Sequence, residues 1–374
     1  MDRMAEGLLR SAVIATFGLW LASAPLAAFG QQSAVIPDEP VCRTCTIEVE
    51  LIATLGDPHD SIGLLLESKL AVDSHGHFLV APVAPPGRIA LYGPDGRFQR
   101  TFGRPGRGPG EFGSWVSHLM VGAGDSLHVL EYNRHTVVLP DLGGLASARQ
   151  LPVAPFDISL LADGRALMAF PLRHSPDSQT LLQVVDLKAG EIVRSFLMAQ
   201  VSTAPWYRYE QIRVLGNPVA DTVWVAQITR YQLERWTAGG ERLQVLSRRA
   251  EWYQPWRTDR LDPYLDRAYP RITSLFADSA GHLWVNILVP DPSWRPPGAR
   301  GERRVMERHG EIYDTVLEVL DLSSGRVLAR RRFGEPLSGF VHPRGWLYAT
   351  RTDAQGEVVM YIYRPFLAKR VGRR

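Results

Sequence analysis

Two residue pairs have spacings that could do chemistry without help from the rest of the chain. Cys42 and Cys45, the two cysteines present, stand as Cys-Arg-Thr-Cys. In an oxidising compartment such a pair reads as a local disulfide. A thioredoxin-type redox site opens a helix, whereas the run from Thr46 to Leu51 alternates like a strand. A haem site needs His directly after the second cysteine, and Thr46 stands there. His75-x-His77 could place two imidazoles on one strand face. It falls in a turn, though, and no third ligand is evident, so turn chemistry is the expected role. Gly106-x-Gly108-x-Gly110 lacks the helix and spacing of a dinucleotide loop. A Gly-x-Ser-x-Gly elbow, a His-Glu-x-x-His pair and a Ser-x-x-Lys set with its partners are all missing.

The 374 residues carry 42 basic and 39 acidic side chains, a net +3. Nucleic-acid binding needs a concentrated basic face, so that partner is not expected. Residues 1–30 read as a signal peptide: Arg3 and Arg10 flank an apolar run that Pro25 ends, and Ala28-Phe29-Gly30 offers a small-x-small cleavage site. The mature chain is then exported, periplasmic or extracellular; the alternative is that the segment stays on as an uncleaved anchor. No later segment could span a bilayer, and Glu39-Pro40-Val41 before Cys42 is not a lipid-attachment sequence.

These residues must be positioned by strands, because helical periodicity is nearly absent. The one helical candidate, 258–268, contains Pro263. A turn followed by a short apolar strand recurs six times, beginning near Asp73, Ala123, Ala162, Asn217, Asp278 and His342. A second hairpin follows in most units, as in Ile89-Ala-Leu-Tyr-Gly-Pro-Asp-Gly. Two hairpins per unit make a four-stranded antiparallel blade. The expected fold class is all-β: a β-propeller of six four-stranded blades over 47–366, preceded by an N-terminal segment, 31–46, and followed by a basic tail, 367–374. The last unit supplies three strands only. The strand at 47–55 resembles the fourth strand of other units, so it is expected to close the ring as the outer strand of the last blade.

Phe102-Gly-Arg-Pro-Gly-Arg-Gly-Pro-Gly-Glu-Phe112 and His128-Val-Leu-Glu-Tyr-Asn-Arg-His-Thr-Val137 resemble the glycine-rich connector and the strand–turn–strand of NHL-repeat and related six-bladed propellers of secreted bacterial proteins. Glu131 stands where that family usually has Asp. The resemblance covers one blade and its connector; the other blades match in turn pattern only.

In such blades alternate connections lie on opposite faces of the disc. The first-to-second and third-to-fourth turns are short, while 103–116, 198–208, 249–271, 171–179 and 288–314 are long. One face is therefore trimmed and the other elaborated, and binding residues concentrate on long loops held by a rigid frame. Trp, Tyr and Arg dominate interface hot spots. The binding-face candidates are Trp115, Trp206, Tyr207, Arg208, Trp252, Trp256, Arg257, Trp294 and Arg295. The bland alternative is that these aromatics pack the loops onto the disc with arginines stacked on them. Inner-strand residues at the channel mouth are the second set: Glu67, His118, Asp157 and Glu210. Carboxylates and a His there could hold a divalent cation such as Ca²⁺. Lactonase propellers of the gluconolactonase and paraoxonase type hold such an ion with carboxylates and Asn. Asn133 and Asn286 fall beyond the inner strands here, so no clear match exists.

The expectation is a monomeric, non-catalytic exported propeller with no cofactor, binding a protein, peptide or glycan through the elaborated face. The alternative is a metal-dependent hydrolase or lyase at the channel mouth.

Overall fold

The computed structural model describes residues 32–138, 145–201, 207–256, 268–295 and 312–369. The signal-peptide reading of 1–30 and the helical candidate at 258–268 lie wholly or almost wholly outside them. Six antiparallel four-stranded blades, five of them built from consecutive strands, form a six-bladed β-propeller. The inner strands are Gly63–Val72, His118–Val121, Asp157–Leu160, Arg213–Val219, Arg271–Ala277 and Ser338–Val341. Each touches the next, and the last touches the first, which closes the ring.

The period of two explains the stacking. In a strand, successive side chains point to opposite faces. In Phe78–Ala84, Phe78 and Val80 join the core shared with blade 6, while Leu79 and Ala81 join the core shared with blade 2. Six apolar clusters result, one at each interface between neighbouring blades. Middle strands are therefore buried on both sides, as in Thr222–Gln227, and read as unbroken apolar runs. Outer strands such as Glu191–Gln200 stay mostly open to solvent.

The closing strand is where the repeat count put it. Cys45–Leu55 pairs antiparallel with Val358–Lys369, from Cys45 opposite Lys369 to Leu55 opposite Met360. Both partners are longer than the sequence boundaries: the closing strand starts at Cys45, and residues 367–369 of the expected tail are strand. The connection expected at 171–179 is also shorter, only 174–177, because Arg165–Arg173 and Ser178–Asp186 extend into it.

Residues 32–44 do something the sequence did not announce. Gln32–Val35 adds a parallel fifth strand to the outer edge of blade 4, against Arg242–Ser247. Ile36 is buried in the core between blades 4 and 5. The Val41 amide donates to the Val327 carbonyl of blade 5 at 2.9 Å. The segment thus straps three consecutive blades together. A disulfide joins Cys42 and Cys45 at the point where the strap becomes the closing strand. The loop it closes spans a sequence separation of only 3, and short loops forfeit little entropy when unfolded. Removing it as Cys42→Ser with Cys45→Ser should cost about 2 kcal/mol or less, read as a small shift in the urea midpoint.

Candidate functional site

The inner strand is an edge strand of its blade, so one side of its backbone has no strand partner. Side chains of neighbouring blades satisfy several of the backbone groups there. Asp157 accepts from the Leu215 amide at 2.7 Å, and Ser159 donates to the Gly216 carbonyl at 2.8 Å. Asn217 brackets Ala277, accepting from its amide at 2.7 Å and donating to its carbonyl at 2.9 Å. Ser274 accepts from the Phe340 amide at 2.7 Å. This lacing matters because an unpaired buried backbone group costs as much as a lost hydrogen bond.

The channel-mouth set belongs partly to this lacing. His118 Nε2 stands 3.9 Å from Asp157 Oδ1. Burial, then the nearby Lys69 charge, pulls the His118 imidazole down to about 4. Burial pushes the Asp157 carboxyl up to about 7, against the amides of Leu215 and Ile158. Burial also lowers Lys69, with Glu67 opposing. Glu67 itself is exposed, in a bulge of the inner strand between Leu64 and Lys69. Glu210 lies in the short helix Tyr207–Gln211 and faces Arg230 at 3.9 Å. Among the described residues, the four expected at the mouth do not assemble into a metal-ligating group of three or more. The carboxylates are spread over a bulge, a strand and a helix, so only His118 and Asp157 meet.

The aromatic loop 249–256 is packing. Trp256 is 8% exposed, donates Nε1 to the Pro270 carbonyl at 2.8 Å, and lies between Tyr209 and Tyr269. Trp252 donates Nε1 to Asp38 Oδ1 at 3.0 Å, under the Arg330 guanidinium at 4.6 Å from its ring centre. Trp294 is partly buried against the small cluster of Ala268, Leu288, Ile312 and Tyr313. Arg295 is exposed and donates back to the carbonyls of Pro292 and Trp294. Of the binding-face candidates, Trp252 and Trp256 therefore follow the packing alternative rather than standing open on the face. They hold the strap and the loop to the disc. Trp206 and Arg257 lie outside the described residues, as do the side chains of Tyr207 and Arg208.

Trp115 is different: it is 57% exposed. It belongs to a groove of about 690 Å³ on the elaborated face of blade 2, lined also by Arg107, Tyr132, Arg149 and Gln150. Tyr132 is 71% exposed and carries a φ of 61°. It is the first of two residues joining Leu127–Glu131 to Arg134–Val138, a place where tight hairpins with positive φ favour Gly, Asn or Asp. Holding a bulky residue there costs on the order of 1–3 kcal/mol, and such outliers gather at functional positions.

The frame beneath these aromatics is rigid. Arg134 pairs with Glu131 at 2.8 Å and donates to the carbonyls of Glu111 and Gly108, each at 3.0 Å. Glu131 also accepts from the Gly113 amide, and Glu111 from the Gly108 amide at 2.7 Å. At Gly103, with a φ of 84°, a Cβ would come within 2.5 Å of the Phe112 ring, so only Gly lets the connector fold onto itself. The connector and the hairpin singled out in the sequence thus contact each other directly. Sequence reasoning found Trp115 but passed over Tyr132, Arg107 and Arg149. An aromatic residue in a two-residue turn was the available signal for Tyr132.

No protein-family model matches this chain, and no curated protein matches it in sequence. Solved structures share the fold. A member of the DUF4221 family from Bacteroides vulgatus ATCC 8482 superposes with a TM-score of 0.59 at 10% identity, over 86% of this chain and 99% of that one. A protein from Bacteroides fragilis NCTC 9343, named a candidate exported protein, gives 0.53 at 12% identity, over 88% of this chain and 98% of that one. At these identities the likeness establishes the fold alone. The NHL-repeat resemblance remains one of a single blade and its connector.

Proposed function

We propose that this chain is an exported, non-catalytic propeller that binds an anionic peptide or glycan in the blade 2 groove. The observation that carries the reading is the pair Trp115 and Tyr132, both exposed, on a connector and turn locked by Glu131 and Arg134. Aromatic residues held rigidly bring large contact area at small entropic cost. Arg107 and Arg149 are exposed on the same groove, whereas Glu131 already pairs with Arg134. The open charge of the groove is therefore positive and suits carboxylate, sulfate or phosphate groups. Export is supported by the apolar N-terminal run, the local disulfide and the name of one structural neighbour. No described helix is long and apolar enough to cross a membrane.

The test is an array of acidic and neutral glycans and peptides, followed by titration of the strongest ligand. Trp115→Ala with Tyr132→Ala should weaken that ligand by about 30-fold or more, since two hot-spot residues are worth roughly 2 kcal/mol or more. The unfolding midpoint should stay close to that of the wild type, because neither ring is buried and Ala keeps the Cβ that makes the positive φ at 132 costly. Equal binding by the variant would reject the groove.

A second reading has one observation in its favour. His118 and Asp157 are adjacent, and their ionisation is displaced in opposite directions, to about 4 and about 7. A proton-transfer pair looks like this. Asp157→Asn would abolish any hydrolase or lyase activity found in a substrate screen; the binding reading expects no such activity.

A further inference from the structure

The trimmed face carries a comparison between two blades of the same molecule. The turn Asp73-Ser-His-Gly-His77 of blade 1 matches Asp278-Ser-Ala-Gly-His282 of blade 5, except that His75 replaces Ala280. In both, the Asp Oδ1 accepts two backbone amides: His75 at 2.9 Å and His77 at 2.8 Å, or Ala280 and His282 at 2.9 Å each. In both, Oδ2 meets the imidazole Nδ1, at 2.8 Å for Asp73–His77 and 3.0 Å for Asp278–His282. The Asp–His pair is therefore turn chemistry that requires no ligand.

Blade 1 adds two things. His75 stands beside the shared pair with its side chain 72% exposed. Asp125, from the matching turn of blade 2, accepts from the Ser74 amide at 2.8 Å and hydroxyl at 2.5 Å, and its Oδ2 lies 3.5 Å from His75 Nδ1. As a result the ligand atoms of Asp73, His75 and His77 lie within 4.8 Å of one another, the single such group among the described residues. The third ligand not evident in the sequence is Asp73.

We propose that this turn is a divalent transition-metal site, with Asp73, His75 and His77 as ligands and Asp125 as the carboxylate that orients His75. Two imidazoles and a carboxylate suit Zn²⁺ and Ni²⁺ and are poor for Ca²⁺, which takes oxygen ligands. Three protein ligands leave a coordination position open to water or an anionic donor. Ser74 Oγ at 3.3 Å and the Asp125 carboxylate at 3.5 Å occupy the Nδ1 side of His75, which leaves Nε2 for the ion. The cation would sit where Asp73 Oδ2 and His77 Nδ1 now share a hydrogen bond, with the His77 proton carried on Nε2 instead. Arg344, which donates to the Ser74 carbonyl, is the nearby positive charge, and Asp125 offsets it.

The test is calorimetric titration of the untagged, chelator-treated mature protein with Zn²⁺ alone. One ion per chain is expected. His75→Ala, an exposed position that should not disturb folding, should remove the uptake. Asp125→Asn should weaken it by about 10- to 100-fold. His282→Ala, in the sister turn, should leave it unchanged. No uptake by the wild type, or equal uptake by wild type and His75→Ala, would overturn the proposal.

Discussion

Glu318→Ala will lower the stability of the propeller by about 3–5 kcal/mol, the range seen when one partner of a buried ion pair is removed. The Glu318 side chain has no exposure. Its Oε2 accepts the Tyr231 hydroxyl at 2.6 Å, and its Oε1 accepts Arg248 Nη1 and Arg330 Nε, each at 2.6 Å. Arg248 is equally buried and stacks over Tyr231 at 4.5 Å. Without Glu318 the Arg248 charge keeps, among the described residues, the Asp38 carboxylate at 3.5 Å. The same group ties together blade 4 through Tyr231 and Arg248, blade 5 through Glu318 and Arg330, and the strap through Asp38. Its loss should therefore also loosen 32–44, seen as faster amide exchange there. Glu318→Gln keeps the shape and one acceptor and should lose less. A Glu318→Ala midpoint within experimental error of the wild type would show that the charges are not coupled.

Acid will be the second large perturbation. Burial lowers the imidazoles of His118, His128, His135 and His342 to about 4, helped by Lys69 at His118 and by His128 at His135. In the unfolded chain they titrate near their ordinary 6.5. Between those values the unfolded chain binds protons that the folded one refuses. The stability they contribute is thus complete above about pH 6.5 and is lost as pH falls towards 4. At pH 5 each of His128, His135 and His342 should cost on the order of 1–2 kcal/mol. Asp157 acts the other way: its folded carboxyl, raised to about 7, takes up a proton before the unfolded one does. One carboxyl against four imidazoles leaves a net loss. Urea midpoints measured from neutral pH to pH 5 should fall steeply, and His342→Gln should flatten the slope. A midpoint independent of pH in this window would mean that these histidines are solvated or already charged.

The fold was legible because a propeller repeats its chemistry. Turns such as Asp73–His77 and Asp278–His282 recur with the same capping bonds, and each introduces a strand buried on both faces. Ring closure followed from counting strands. The strap was not legible: Gln-Ser-Ala-Val is four residues long, has no alternation to read, and gains its place from a parallel edge far away in sequence, with Gln32 opposite Gln244. The site was legible only in part. A Trp in a loop looks the same whether it is open, as Trp115 is, or closed over by Arg330 and Asp38, as Trp252 is. The deciding partners come from blades far away in the chain. Likewise Asp73 could not be named a ligand until the turn placed its carboxylate against both imidazoles.

Hydrogen–deuterium exchange of the mature protein, with and without the strongest ligand from the array, tests the binding assignment most directly. The account predicts ligand-dependent protection confined to 107–115, 131–134 and 148–150. Protection at the inner strands around His118 and Asp157, or at 249–256, with no change in the blade 2 groove, would contradict it.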